Sequence, residues 1–425
     1  MMATASGLSK ERFSLLFGVM LVAASGNTAL QSLMPSIGRV LGIPDVWVAV
    51  AFSLSAVIWV LTAPHWARRA DQRGRRALMR LGLYGFVGSM LVCGGVLAAG
   101  LAGALAPTAV FVIFIFGRTI YGAWGSASPP AVQAYIAART DGSERTRYLA
   151  SIASSFGLGT IIGPAIAPLF IFAPLRLSGP LIVFALIGLI VLAAIVLRLP
   201  DDTPRNPARG RIADFPAVGA PSADGVRDDR ETAPLRWRDP RVLPWHLIGV
   251  VGGHGHAALL GVIGFLVIDR LRLDPADAQH SIAIVLMGGA AATLLAQWGL
   301  IPRLDLTPRQ LVMWGATLAA AGAWVTGFSA TMYGITIGFA LASLGFGFFR
   351  PGFTSGASLA VSPAEQNTVA GMVTSVNGVA YIAAPAAGVA LYGEGRLLPF
   401  LTITALMVLL ALGVAFRFNP SDRAG

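Results

Sequence analysis

The sequence predicts an all-α membrane protein, with twelve transmembrane helices in two pseudo-symmetric six-helix bundles. Three observations carry that expectation. Of 425 residues 55% are hydrophobic and only 12% charged, with a mean hydropathy of +0.71, whereas a soluble domain is about one quarter charged. The apolar residues gather into runs long enough to cross a hydrocarbon layer ~30 Å thick. A single long hydrophilic stretch, 200–243, divides those runs six and six.

In chain order, spans are expected at 13–37, 46–67, 78–101, 107–137, 148–172 and 177–199, then at 244–268, 279–301, 309–329, 332–360, 367–392 and 397–416. Helices are the expected form because each backbone amide in lipid must be paired within its own segment, and the short alternation of barrel strands is missing. The first run carries Asn27 and Gln31, is too long for a cleaved signal and has no small-residue cleavage site at its end, so it reads as a retained span. The stretch 200–243 mixes acidic and basic residues with Pro and Gly and has no apolar periodicity, which is the composition of a linker. The expected organisation is a first bundle over 1–199, a cytoplasmic linker over 200–243 and a second bundle over 244–425.

Charge sets the orientation. With the amino terminus in the cytoplasm, most of the 31 basic residues fall on that side. The opposite face receives Arg39, Arg176, Arg270, Arg272 and Arg396, while Arg118 and Arg350 fall inside spans. This asymmetry is the positive-inside pattern, and it accounts for a pI near 10.9 without a nucleic-acid partner. The single cysteine, Cys93, excludes a disulfide framework and a cysteine-ligated zinc or iron–sulfur site. The expected setting is the inner (plasma) membrane of a cell, multi-pass, both termini cytoplasmic, as a monomer without cofactor or metal.

Shifted by 221 positions, the chain matches Glu144 to Glu365, Ser154 to Ser375, Gly157 to Gly378 and Pro164 to Pro385, with Pro130 on Pro351. Each identity is weak alone. Their order, an acidic loop followed by a span with a Gly and then a Pro seven residues on, points to duplicated halves with a substrate site near the membrane midplane.

Three stretches carry a family resemblance. Asp71-Gln72-Arg73-Gly74-Arg75-Arg76 follows the second span, Arg118-Thr-Ile-Tyr-Gly122-Ala-Trp-Gly125-Ser126 lies in the fourth, and Gly159-Thr-Ile-Ile-Gly163-Pro164 lies in the fifth. They resemble, in order, the loop signature, the arginine–glycine motif and the antiporter motif of the major facilitator superfamily, and with the span count the likeness covers nearly the whole chain. Departures are Ala67 where a glycine is expected, Gln72 where a basic residue is expected, Ala167-Pro168 after Pro164, and a second-half loop reduced to Asp305-Leu-Thr-Pro-Arg309. The resemblance implies a secondary transporter working by alternating access, not an enzyme. It implies a cytoplasmic gate at Asp71, Gly74, Arg75 and Arg76; the alternative is that these arginines only anchor topology at the headgroups. Gly159, Gly163, Pro164 and Pro385 read as hinge or close-packing positions, with a purely structural kink as the alternative.

All 20 acidic residues fall in loops or at span ends, the deepest being Asp269. That argues against a pump for cations, which needs a buried carboxylate. The resemblance implies that Asn27 stands at the position in the first span where related pumps often carry an acid. The candidate substrate and proton pathway comprises Arg118, Asn27, Gln31, His254, His256, Arg350 and Asn377. Arg118, near mid-depth, reads as an anion-attracting or proton-coupling group, or as a structural donor to helix carbonyls. Arg350 lies closer to a span end and can snorkel. His254 and His256 are about 200° apart around a helix and cannot share a metal unless it unwinds; each is a proton carrier near neutral pH or a donor to a neighbouring carbonyl. Tyr121, Trp124, Phe348, Phe349 and Tyr381 are candidate cavity aromatics. The expected activity is proton-coupled efflux of a drug-like or metabolite solute, with proton-coupled import of an organic anion as the alternative.

Overall fold

The computed structural model describes residues 8–137, 139–140, 142–200, 235–362 and 365–417. Among them run twelve helices. The first six are α1 (Lys10–Val40), α2 (Asp45–Arg73), α3 (Arg75–Leu101), α4 (Pro107–Ile136), α5 (Gly142–Ile166) and α6 (Gly179–Arg198). The second six are α7 (Leu243–Leu271), α8 (Gln279–Leu304), α9 (Pro308–Phe328), α10 (Met332–Leu359), α11 (Gln366–Glu394) and α12 (Leu398–Arg417). No strand occurs among the described residues; one isolated bridge joins Phe172 to Arg176. Eleven helices are long and apolar enough to cross a membrane. In α5 the apolar part is shorter, Gly157–Phe170, and ends in a tight turn over Ala167–Phe170.

Helix ends follow local chemistry. Ser9 caps α1 by accepting the Arg12 N–H at 3.3 Å, and Thr307 forms a reciprocal capping box with Gln310 at the start of α9. The loop expected after the second span contracts to one residue. The apolar part of α2 ends near Trp66, but the helix continues through the charged residues to Arg73 because polar side chains need leave only the hydrocarbon, not the helix. Gly74, at φ 85°, then breaks it, a conformation that side chains rarely adopt.

The described helices divide into two compact units, Met1–Ile43 with Leu54–Glu231 and Pro44–Ser53 with Thr232–Gly425. Within each unit the same pairs pack: α1 on α5 and α7 on α11, α3 on α4 and α9 on α10, α3 on α6 and α9 on α12, α1 on α6 and α7 on α12. The core of the first unit includes Leu16, Val19, Leu78, Leu83, Tyr135 and Ile195, all buried. Leu61, Phe116, Ile190 and Leu409 stay exposed, as lipid-facing side chains do.

The α1–α5 contact is close because of two glycines. A Cβ at Gly159 would lie 2.6 Å from Ala24 Cβ, and one at Gly163 would collide with the Ser25 carbonyl and the Thr28 hydroxyl. Thr28 Oγ1 donates across this seam to the Gly159 carbonyl at 3.3 Å. In the second unit the spacing is supplied from the other side. Ala380, 221 positions after Gly159, faces Gly253 of α7, whose Cβ would lie 3.1 Å away, and Gly261 packs on Pro385. Small residues thus let both helix pairs approach closely; the glycine is on opposite partners at Gly159 and Gly253, while farther along the second seam Gly388 of α11 packs on Ala258 of α7.

Candidate functional site

Each unit holds one polar cluster within its helices. In the first, Arg118 lies eleven residues into α4 and is 3% exposed. One guanidinium nitrogen, Nη2, donates to Asn27 Oδ1 of α1 at 2.9 Å, and the group sits 5.2 Å from the Tyr121 ring centroid. Burial of a cation here requires such partners, since an exposed guanidinium at this depth costs at least ~2.5 kcal/mol. Cys93, buried on α3, donates towards the Phe114 carbonyl at 3.7 Å and packs at Gly117.

Just beyond Arg118, α4 widens into a π-type turn over Tyr121–Gly125. Side chains of α2 meet the carbonyls in and before that turn. Ser55 donates to the Arg118 carbonyl at 3.0 Å, Thr62 to Gly122 at 3.0 Å, and Trp66 Nε1 to Ala123 at 2.6 Å. Irregular backbone in a membrane needs donors of this kind. These three α2 residues were not among the sequence candidates; a hydroxyl or indole recurring along one face of α2 is the signal that could have marked them. Gln31, one turn beyond Asn27, is exposed.

In the second unit a cavity of about 60 Å³ is lined by Gly252, Gly253 and His256 of α7, by Phe346, Phe349, Arg350 and Phe353 of α10, and by Asn377 and Tyr381 of α11. Five sequence candidates therefore meet: His256, Phe349, Arg350, Asn377 and Tyr381. The His256 ring lies 4.7 Å from that of Phe346 and its Nδ1 is 3.5 Å from the Tyr381 hydroxyl. Asn377 Nδ2 donates to the Val373 carbonyl of its own helix at 3.0 Å. Phe346, Phe349, Arg350 and Phe353 fall at i, i+3, i+4 and i+7, the spacing of one helix face, and that periodicity marks Phe346 and Phe353, which residue type alone does not.

The other candidates lie elsewhere. His254 Nδ1 contacts the Val250 carbonyl of its own helix at 2.7 Å and does not line the cavity. Phe348 is buried against Ala296 and Leu311, Tyr121 is buried beside Arg118, and Trp124 is exposed. At the α2–α3 junction Arg75 is half-buried, and Arg76 donates to the Val196 carbonyl near the end of α6. The side chain of Asp71 lies outside the described residues. Pro164 and Pro385 each sit inside the helix expected to bear them.

A charged cluster precedes α7 and α11. Arg241 donates to Glu365 at 2.7 and 3.0 Å and to Asp239 at 2.9 and 3.1 Å. The hydrogen bonds from Arg241, aided by the Ser362 N–H and hydroxyl, hold the Glu365 carboxyl down at about 2. Arg241 also holds Asp239 below its ordinary value. At the far end of α7, Asp269 accepts from the Tyr392 hydroxyl at 2.9 Å and lies 3.9 Å from Arg396.

A chain with this helical arrangement matches a known family. Residues 15–385 match the Major Facilitator Superfamily. The chain belongs to that superfamily. It is therefore a multi-pass membrane transporter of a small-molecule solute. A 155-residue segment is 28% identical to Multidrug resistance protein 2 of Bacillus subtilis (strain 168), and spans 36% of this chain and 36% of that protein, about a third of its length. The fold is that of solved superfamily transporters. The human organic anion transporter MFSD10 (TETRAN) is 19% identical with a TM-score of 0.64, and the nucleoside transporter NupG (D323A mutant) is 13% identical with a TM-score of 0.67. Both likenesses cover 96% of this chain and 100% of the solved one. At these identities they establish the fold alone.

Proposed function

We propose that this superfamily member is a secondary transporter that expels a small organic solute by alternating access, in exchange for protons. The observation that carries the reading is the α1–α5 seam. Gly159 and Gly163, in the stretch resembling the antiporter motif, bring α5 so close to α1 that Thr28 bonds the Gly159 carbonyl. A seam of small residues beside Pro164 lets the two helices shift without prising apart large side chains. The partial match to a multidrug resistance protein supports the outward direction.

In this reading the bundles 1–199 and 244–425 work as one monomer in the plasma membrane, with both termini cytoplasmic and the linker 200–243 between them. Arg118 and Asn27 line the solute and proton pathway. Asp71, with Arg75 and Arg76, forms a cytoplasmic latch made in one state and broken in the other. His256, mid-way along α7, belongs to the same pathway.

Import of an organic anion with protons is the second reading. It is favoured by the positions of Arg118 and Arg350 within spans whose described residues carry no mid-helix Asp or Glu. Flux in reconstituted vesicles with an imposed pH gradient separates the two. Efflux-type exchange predicts solute movement opposite to the proton gradient. Flux that persists unchanged when the gradient is collapsed removes proton coupling altogether.

A further inference from the structure

We propose that the cavity of the second unit is a binding site for the acidic head of an organic anion, with Arg350 as its counter-charge. The inference rests on the transport of an organic solute but not on proton coupling or direction, so it can fail or stand independently of the exchange reading.

The charge comes first. Arg350 lies 18 residues into α10 and nine before its end, about 13 Å of helical rise from Leu359. Among the described residues it makes no hydrogen bond and no ion pair. The described carboxylates that find cationic partners in this unit find them elsewhere: Asp239 and Glu365 on Arg241, Asp269 near Arg396. The cavity therefore presents a guanidinium with five N–H donors in a fixed fork, the geometry that matches a carboxylate or sulfonate two-pronged. A cationic solute would meet a like charge without a compensating acid, and a neutral one would leave the exposed guanidinium without a counter-charge.

The walls limit what fits beside that charge. Phe346 and Phe349 stand on the same face of α10 as Arg350, and the His256 ring lies against Phe346. Glycines 252 and 253 provide the opposing floor, with Phe349 packed so closely on Gly252 that a side chain there would displace the ring. The Tyr381 hydroxyl adds a donor at the rim. A volume of about 60 Å³ accepts a few waters or an acidic head group, not a whole drug-sized molecule. The head is thus held in the cavity, and the rest of the solute lies outside it, because the Phe346 and Phe349 rings are buried against His256 and Gly252.

The test uses the full chain in lipid nanodiscs and three probes with one ring system and three charges: naphthoate, naphthamide and naphthylmethylamine. The wild type is expected to bind the acid about tenfold or more tightly than the amide, and the amine least. Arg350→Gln, with unaltered thermal unfolding, is expected to bring acid and amide to the same affinity, whereas Arg350→Lys keeps the order with a smaller gap. Equal binding of the three probes by the wild type overturns the proposal. So does an acid preference that survives Arg350→Gln, which would place the anion site elsewhere. Should Arg350→Gln fail to fold, the wild-type ranking and the Arg350→Lys ranking decide. Loss of proton-gradient dependence in flux, with the ranking intact, would discard the exchange reading and leave this site standing.

Discussion

Buried Arg118 of α4 and half-buried Asn27 of α1 are joined by a charge-assisted hydrogen bond of 2.9 Å. The amide stands where a carboxylate would neutralise the guanidinium, so the pair carries a net positive charge. Arg118→Ala is expected to abolish flux while membrane insertion and thermal unfolding stay close to wild type. Asn27→Ala removes the acceptor and is expected to cost about 1.5–3 kcal/mol of stability. Wild-type flux by Arg118→Ala would exclude this arginine from the pathway.

The α1–α5 seam predicts a contrast between neighbouring glycines. Gly163→Ala drives a methyl into the Ser25 carbonyl and should destabilise the first unit by about 1–3 kcal/mol and slow turnover. Gly157, whose Cβ would meet nothing within 4 Å, should accept alanine without loss. Thermal unfolding of both variants, measured side by side in one detergent, checks this; equal effects would mean the seam is not tight.

Variants at the α2–α3 junction are expected to separate binding from turnover. Asp71→Asn is expected to slow exchange several-fold and leave solute affinity within about twofold. Arg76→Ala, which loses its bond to the Val196 carbonyl, should lower the melting temperature as well. Unchanged turnover in Asp71→Asn would discredit the latch.

The Arg241–Glu365 pair predicts an acid limb in stability. Because Glu365 titrates lower in the folded chain, at about 2 against an ordinary 4.5, its contribution is fully present above pH 4.5 and is lost as pH falls towards 2. Glu365→Gln should flatten that part of the melting profile. An identical profile in wild type and variant would show that the pair contributes nothing.

Helix number and order were legible in the sequence because lipid forces each apolar run to close its own hydrogen bonds. Boundaries were less so at α2, where the charged tail stays helical up to Gly74, a choice that hydropathy does not register. Of the site residues, Arg118 and Asn27 stood out as polar groups in apolar runs, and they meet. His254 and His256 looked equivalent, yet only His256 faces the cavity, since two positions around a helix point about 200° apart. The role of Ser55, Thr62 and Trp66 was not readable, because it depends on a wide turn in another helix.

The exchanged glycines bear on how the two halves have diverged. Ala24 faces Gly159 in one, Gly253 faces Ala380 in the other, so at this contact the two halves have solved the same steric problem with the roles of knob and hollow reversed. A chimera seating α1 on α11 would set methyl against methyl, and one seating α7 on α5 would leave a void. Interchanging helices singly should therefore fail where interchanging the pair together succeeds, even though residue-by-residue alignment of the halves registers only a mismatch.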